Sequence, residues 1–153
     1  MKLEDKLKEL SIPIPETSTK FGNYLPFIQD ENKIYISGQL PIKDGVIISG
    51  KVDSEVTLEE ANSAARLCIV NTLLILNSID NKIDLKNLSC IQLSGFVNAD
   101  IKFDRHPEVI NGASDFMCEV LGKSGMHTRI AVGCSSLPKN ACVEISSIFS
   151  LKE

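Results

Sequence analysis

The segment TLEEANSAARLCIVNTLLILNSI, residues 57–79, decides the architecture. Its opening, Thr57-Leu58-Glu59-Glu60, is a capping box: the Thr57 hydroxyl can accept from the Glu60 backbone N–H, and the Glu60 carboxylate returns the bond. Behind it Ala61, Ala64, Ala65, Cys68, Thr72, Ile75, Leu76 and Ile79 recur at steps of three or four, which predicts a long helix with one apolar stripe. A stripe of that length needs a sheet to pack on, so the flanking segments are read for strands.

Upstream, Leu25–Gln29 and Lys33–Ser37 read as two strands joined by the polar turn Asp30-Glu31-Asn32. Asp44-Gly45 marks a second turn, with Val46-Ile47-Ile48 behind it. Downstream, Ser89–Val97 alternates, with Ile91, Leu93, Gly95 and Val97 on one side and Cys90, Gln92, Ser94 and Phe96 on the other. Pro107 suits the first turn of a second helix, whose stripe is Val109, Ala113, Phe116 and Val120 and whose stop is Gly122. Two final strands, Arg129–Cys134 and Ala141–Phe149, flank the turn Leu137-Pro138-Lys139-Asn140. At the other end Met1–Leu10 carries Leu3, Leu7 and Leu10 on one helical stripe, and Pro13 and Pro15 then run the chain extended. The order β-β-(β)-α-β-α-β-β predicts a two-layer α+β domain, two main helices on a mixed sheet, spanning residues 1–153 with residues 1–20 as a helical and extended extension. A small sheet covered on one side leaves its other face open. Cys90, Phe96 and Ile148 fall there and hint at self-association.

Composition bounds the function. At this length a chain buries roughly 70% of its unfolded surface, enough for a core without metals or disulfides. Five cysteines are scattered with no C-x-x-C pair, and four sit in apolar or alternating segments, where they act as small hydrophobes. His106 and His127 have no partners at metal-ligand spacing, so no metal is expected. The net charge of −4, with Lys and Arg spread thinly, argues against a nucleic-acid partner. No stretch matches the ~20 apolar residues of a bilayer span, and Met1–Leu10 lacks the apolar run of a secretory signal; a cytoplasmic protein without a membrane partner is the expectation.

Two residues stand out for chemistry. Arg129 opens Arg129-Ile130-Ala131-Val132-Gly133, where period-2 alternation places Arg129, Ala131 and Gly133 on one side. Small neighbours leave room before a guanidinium, whose fork can grip a carboxylate with two bonds; an ordinary ion pair with a surface acid is the competing reading. Glu144 lies mid-strand in Ala141-Cys142-Val143-Glu144-Ile145 and could share the Arg129 face, orienting a water or shuttling a proton for a bound substrate. Alone it is equally a solvated strand residue. Tyr24, Ser37 and Asn111 are hydrogen-bonding residues near Gly22, Gly38 and Gly112.

Taken together, Gly22-Asn23-Tyr24, Ile36-Ser37-Gly38-Gln39-Leu40-Pro41, Phe96-Val97-Asn98, Asn111, Arg129-Ile130-Ala131-Val132-Gly133, Leu137-Pro138 and Val143-Glu144-Ile145 resemble the Rid family. Its other names are YjgF-like, reactive intermediate/imine deaminase and endoribonuclease L-PSP. The resemblance spans about Gly22 to Leu151, with the motifs in family order. It implies a chorismate-mutase-like fold and a homotrimer with pockets between subunits. It further implies that Arg129 holds the carboxylate of a 2-imino acid, that Glu144 orients the attacking water, and that Tyr24, Ser37, Gly38, Asn111 and Ala131 line the pocket. The products would be a 2-oxo acid and ammonia. No cofactor is implied, because an imine carbon is already electrophilic and the site need only position and stabilise. Ala131 stands where the best-known deaminases carry cysteine, and Asn23 replaces the proline of Gly-Pro-Tyr. The N-terminal helix, Ile47–Val56, Arg105-His106-Pro107-Glu108 and Asn111-Gly112-Ala113-Ser114-Asp115 look like features of a divergent branch. Two alternatives accompany the deaminase reading: a non-catalytic trimer that senses a small 2-oxo or amino acid, and an RNA-cleaving translation inhibitor.

Overall fold

Both bonds of the expected capping box form in the computed structural model, which describes residues 1–16, 23–80 and 82–152. Glu60 N–H donates to Thr57 Oγ1 at 3.1 Å, and Thr57 N–H donates to Glu60 Oε2 at 2.8 Å. They start helix α2, Leu58–Ile79, which buries Ala61, Ala64, Ala65, Cys68, Leu73 and Leu76. Helix α1, Leu3–Glu9, adds Leu3 and Leu7 to the same core, and helix α3, His106–Leu121, adds the stripe Val109, Ala113, Phe116 and Val120. The α2–α3 contact is close: a Cβ at Gly112 would collide with the backbone carbonyl of Asn62. The Asn62 amide in turn donates to Glu108 O at 2.8 Å, tying the first turn of α3 to α2.

These three helices cover one face of a mixed sheet. Strands β1 (Phe27–Asp30), β2 (Lys33–Gln39), β5 (Leu88–Asn98), β6 (Thr128–Cys134) and β7 (Val143–Leu151) are ordered β1-β2-β7-β5-β6. Only β5 and β6 run parallel, joined through α3 as a parallel pair requires. The other pairs are antiparallel, and β1 and β6 form the two edges. Strands β3 (Ile42–Lys43) and β4 (Val46–Ile47) make a separate hairpin around Asp44-Gly45, both at positive φ, as a two-residue loop of this kind demands. The helix-facing residues of the sheet, among them Ile34, Ile36, Leu93, Val97, Val143, Ile145 and Phe149, are almost fully buried.

Two bulges alter what strict alternation predicts. Between Cys90 and Gln92 the register with β7 slips, so that Cys90 pairs with Phe149 and Gln92 with the very next residue back, Ile148. Ile91 is the extra residue. It turns outward, and Cys90, expected on the open face, is instead 3% exposed within the helix-side core. Phe96 and Ile148 remain half-buried on the open face, beside the exposed Ile28, Tyr35, Ile130 and Val132. The second bulge lies between Ile36 and Gln39, where β2 spends three steps against two on β7.

Candidate active site

That second bulge shapes the site. Ser37 and Gly38 together oppose Ser146, which swings Gly38 to the open face beside Glu144. A Cβ at Gly38 would overlap the Glu144 carboxylate, so glycine is what lets the carboxylate lie against β2. Glu144 shares an open cleft of about 320 Å³ with Gly38, Phe96, Cys134, Leu137 and Ser146. Burial raises its pKa, and among the described residues no cation lies within ion-pair distance of it. The Ser37 hydroxyl donates to Leu25 O at 2.7 Å, and Ser37 N–H donates to Pro26 O at 2.9 Å. Those bonds fasten the segment carrying Tyr24, whose ring is 59% exposed beside the β1 edge. Gly22 lies outside the described residues.

Asn98 pairs across the β5–β6 ladder with Cys134, on the rim of the cleft. Fully buried, it donates through Nδ2 to Ala141 O and Asn140 Oδ1, both at 3.1 Å, and so holds the Leu137–Asn140 turn against β5. Lys51 spans the same rim, donating to Ser135 O at 2.8 Å and Asn98 Oδ1 at 3.3 Å. Its position could not be read from spacing, because Ile47–Val56 carries no regular pattern.

Arg129 is elsewhere. It pairs across the β5–β6 ladder with the fully buried Leu93, so its side chain leaves the sheet on the helix face. Glu144 pairs with Phe96 on the opposite, open face. Within one chain the two residues therefore do not share a face, contrary to expectation. The loop between β6 and β7 does not set their relation, since β5 lies between the two strands. Arg129 Nη1 donates to Ser114 Oγ at 3.0 Å, and Nη2 reaches Pro107 O at 3.5 Å. Asn111 follows Pro107 by four residues and precedes Ser114 by three, which sets it on the α3 face that Arg129 crosses. Ala131 follows on the same face, half-buried. Among the described residues no carboxylate pairs with Arg129.

The expected residues thus form two half-sites. Arg129 and Ala131 stand on the edge strand β6 with Asn111 on α3 beside it; Ser37 and Gly38 stand on β2, Tyr24 precedes β1, and Glu144 stands on the central strand β7. Two strand spacings, about 10 Å, lie between β6 and β7. Ser114 and His127 also belong to the first half-site, with Ser114 Oγ 2.9 Å from His127 Nε2. A search for metal-ligand spacing passes over this pair, and only the packing of α3 on β6 brings it together. No group of three or more His, Cys, Asp or Glu that could hold a metal ion occurs among the described residues. All five cysteines are unpaired, and burial pushes the Cys90 thiol to about 12 and the Cys142 thiol to about 11.

Comparison with known proteins matches this fold. Residues 4–150 match the family model described as "YjgF/chorismate_mutase-like, putative endoribonuclease". The Trypanosoma cruzi protein TCP17 is 31% identical over 147 residues, covering 95% of this chain and 91% of its own length. A crystal structure of Agrobacterium tumefaciens Atu1372, a protein of unknown function, is 41% identical with a TM-score of 0.86, covering 98% of this chain and 92% of that one. A Shewanella oneidensis structure described as a "putative endoribonuclease" is 25% identical with a TM-score of 0.88, covering 99% of this chain and all of its own. The chain belongs to the YjgF/chorismate-mutase-like family, also called endoribonuclease L-PSP, and has that family's α+β fold with three helices on a mixed sheet.

Proposed function

We propose that this protein hydrolyses reactive 2-enamine/2-imine acids to 2-oxo acids and ammonia, at pockets completed between copies of the chain in a homotrimer. One observation carries the reading: among the described residues a guanidinium without an acidic partner stands at the β6 edge on the helix side, and a half-buried carboxylate without a cation stands on the central strand β7 on the open face. Neither half-site can serve a small substrate alone, whereas the β6 edge of one copy against the open face of the next supplies both. The Arg129 fork holds the substrate carboxylate with two charge-assisted bonds. Glu144, its pKa raised by burial, then takes a proton from water as the oxygen attacks the protonated imine carbon. The resulting carbinolamine collapses when that proton passes to nitrogen: the C–N bond breaks, ammonia leaves, and Glu144 takes the hydroxyl proton as the C=O of the 2-oxo acid forms, then gives it up to the ammonia as ammonium. Tyr24, Ser37 and Asn111 line the pocket in this reading, and Ala131 leaves it wider than a cysteine would.

The test generates 2-aminoacrylate with a dehydratase and follows imine loss and ammonia release. Arg129→Ala should cost about 2–5 kcal/mol of binding to the charged group, a rate loss of roughly 30- to 5,000-fold, and Arg129→Lys should not restore it, since a point charge lacks the planar fork. Glu144→Gln should lower turnover while leaving 2-oxobutyrate binding nearly intact. A wild-type protein that accelerates the decay of no imine, yet binds oxo acids through Arg129, is a sensor rather than an enzyme.

A further inference from the structure

Ser114 and His127 have no part in the reaction just described, yet with the imidazole neutral they form with Arg129 a chain in which every link has one direction. Gly125 O can only accept, so His127 Nδ1, 2.6 Å away, carries the ring hydrogen. The neutral ring then offers a lone pair at Nε2, and the Ser114 hydroxyl donates to it across 2.9 Å. With its hydrogen committed, Ser114 Oγ accepts from Arg129 Nη1 at 3.0 Å. The chain starts on the backbone of the 3-10 turn Gly122–Gly125, crosses α3 at Ser114 and ends on β6 at Arg129. Three elements therefore converge on one guanidinium, a group whose long stem otherwise leaves it many orientations.

We propose that Ser114 and His127 are positioning residues for carboxylate recognition. Neutral His127, locked as its Nδ1–H form by Gly125, turns the Ser114 hydroxyl so that its lone pairs meet Arg129. That bond takes one N–H of Nη1, as Pro107 O takes one of Nη2, and leaves the other N–H groups of the fixed fork for a planar 2-oxo or 2-imino carboxylate. Binding then costs little ordering of Arg129, because the protein has already fixed it. This rests on the reading of Arg129 as the carboxylate anchor.

Calorimetric titration with 2-oxobutyrate tests the two separately, using full-length wild type, Arg129→Ala, Ser114→Ala, His127→Ala, His127→Gln and the Arg129→Ala/Ser114→Ala double variant. Ser114→Ala and His127→Ala should each weaken binding about tenfold or more. In turnover the loss should appear mainly in KM, with kcat changed little. In the Arg129→Ala background, Ser114→Ala should add nothing, because it acts only through the arginine. An alanine could instead loosen the fold, so His127→Gln is the control: its amide oxygen can accept the Ser114 hydrogen and should keep affinity within a few-fold of wild type. A glutamine variant as weak as the alanine, or a Ser114→Ala loss that persists without Arg129, overturns the relay. Wild-type affinity in both alanine variants, with Arg129→Ala still weak, overturns the relay and leaves the anchor standing. Wild-type affinity in Arg129→Ala removes the anchor itself.

Discussion

Glu144 and Gly38 form a unit in which each explains the other. The absent side chain at Gly38 is the space the carboxylate fills, and that same closeness strips water from it and raises its pKa. An acid whose folded pKa lies above its unfolded value binds its proton more tightly in the native state. Its charge therefore costs stability above the folded pKa, and that cost disappears as pH falls below the unfolded value. Glu144→Gln should accordingly melt at a higher temperature than wild type at neutral pH, and the gap should close as pH is lowered through the carboxyl's range. Thermal melts across that range check it; a gap that widens in acid would contradict the burial argument. Arg129 drew notice through a local signal, small neighbours beside a strand arginine, whereas Glu144 alone reads equally as a solvated strand residue and was singled out by the family motifs around it. Ser114 and His127 were not legible as a pair, because their partnership depends on how α3 settles against β6 rather than on spacing along the chain.

At the scale of elements, the pattern that was readable is the pattern set by local physics. The capping box, the α2 stripe, the α3 stripe with Pro107 at its start, and the Asp44-Gly45 turn all follow from interactions within a few residues. Thr57 illustrates this. Its hydroxyl satisfies a backbone N–H that the helix leaves unpaired, so Thr57→Ala should destabilise the protein by ~1 kcal/mol while Thr57→Ser stays close to wild type, as measured by urea denaturation. The bulges were not readable, because an inserted residue is defined by the partner strand. Strict alternation through Ser89–Val97 puts Ile91 inside and Cys90 outside; the slip against Phe149 and Ile148 reverses both. The same limit hid the Gly38 site, since nothing local to Ser37-Gly38 announces that both will oppose Ser146.

For the whole molecule, the open face and the two free edges bear on assembly. Ile130 and Val132 on the edge strand β6, Ile28 on the edge strand β1 and Tyr35 on β2 beside it are each about half exposed, so apolar surface runs across the face opposite the helices. Unlike half-sites on different surfaces suit a head-to-tail contact, which makes a ring where the rotation closes. For the proposed homotrimer, sedimentation at micromolar concentration should give a species three times the mass of the 16.8 kDa chain. A monomer there would leave the two half-sites unable to meet and would remove the proposed pocket. The strand order carries one more consequence, for synthesis. β7, the last strand along the chain, sits at the centre of the sheet, between β2 and β5. Until Val143–Leu151 clears the ribosome, Ile34, Ile36 and Leu93 have no middle strand to close their core, so a nascent chain carrying everything before it must wait with apolar surface uncovered. Ribosome-bound chains stalled just short of that strand are the form of this protein on which chaperones have most to hold.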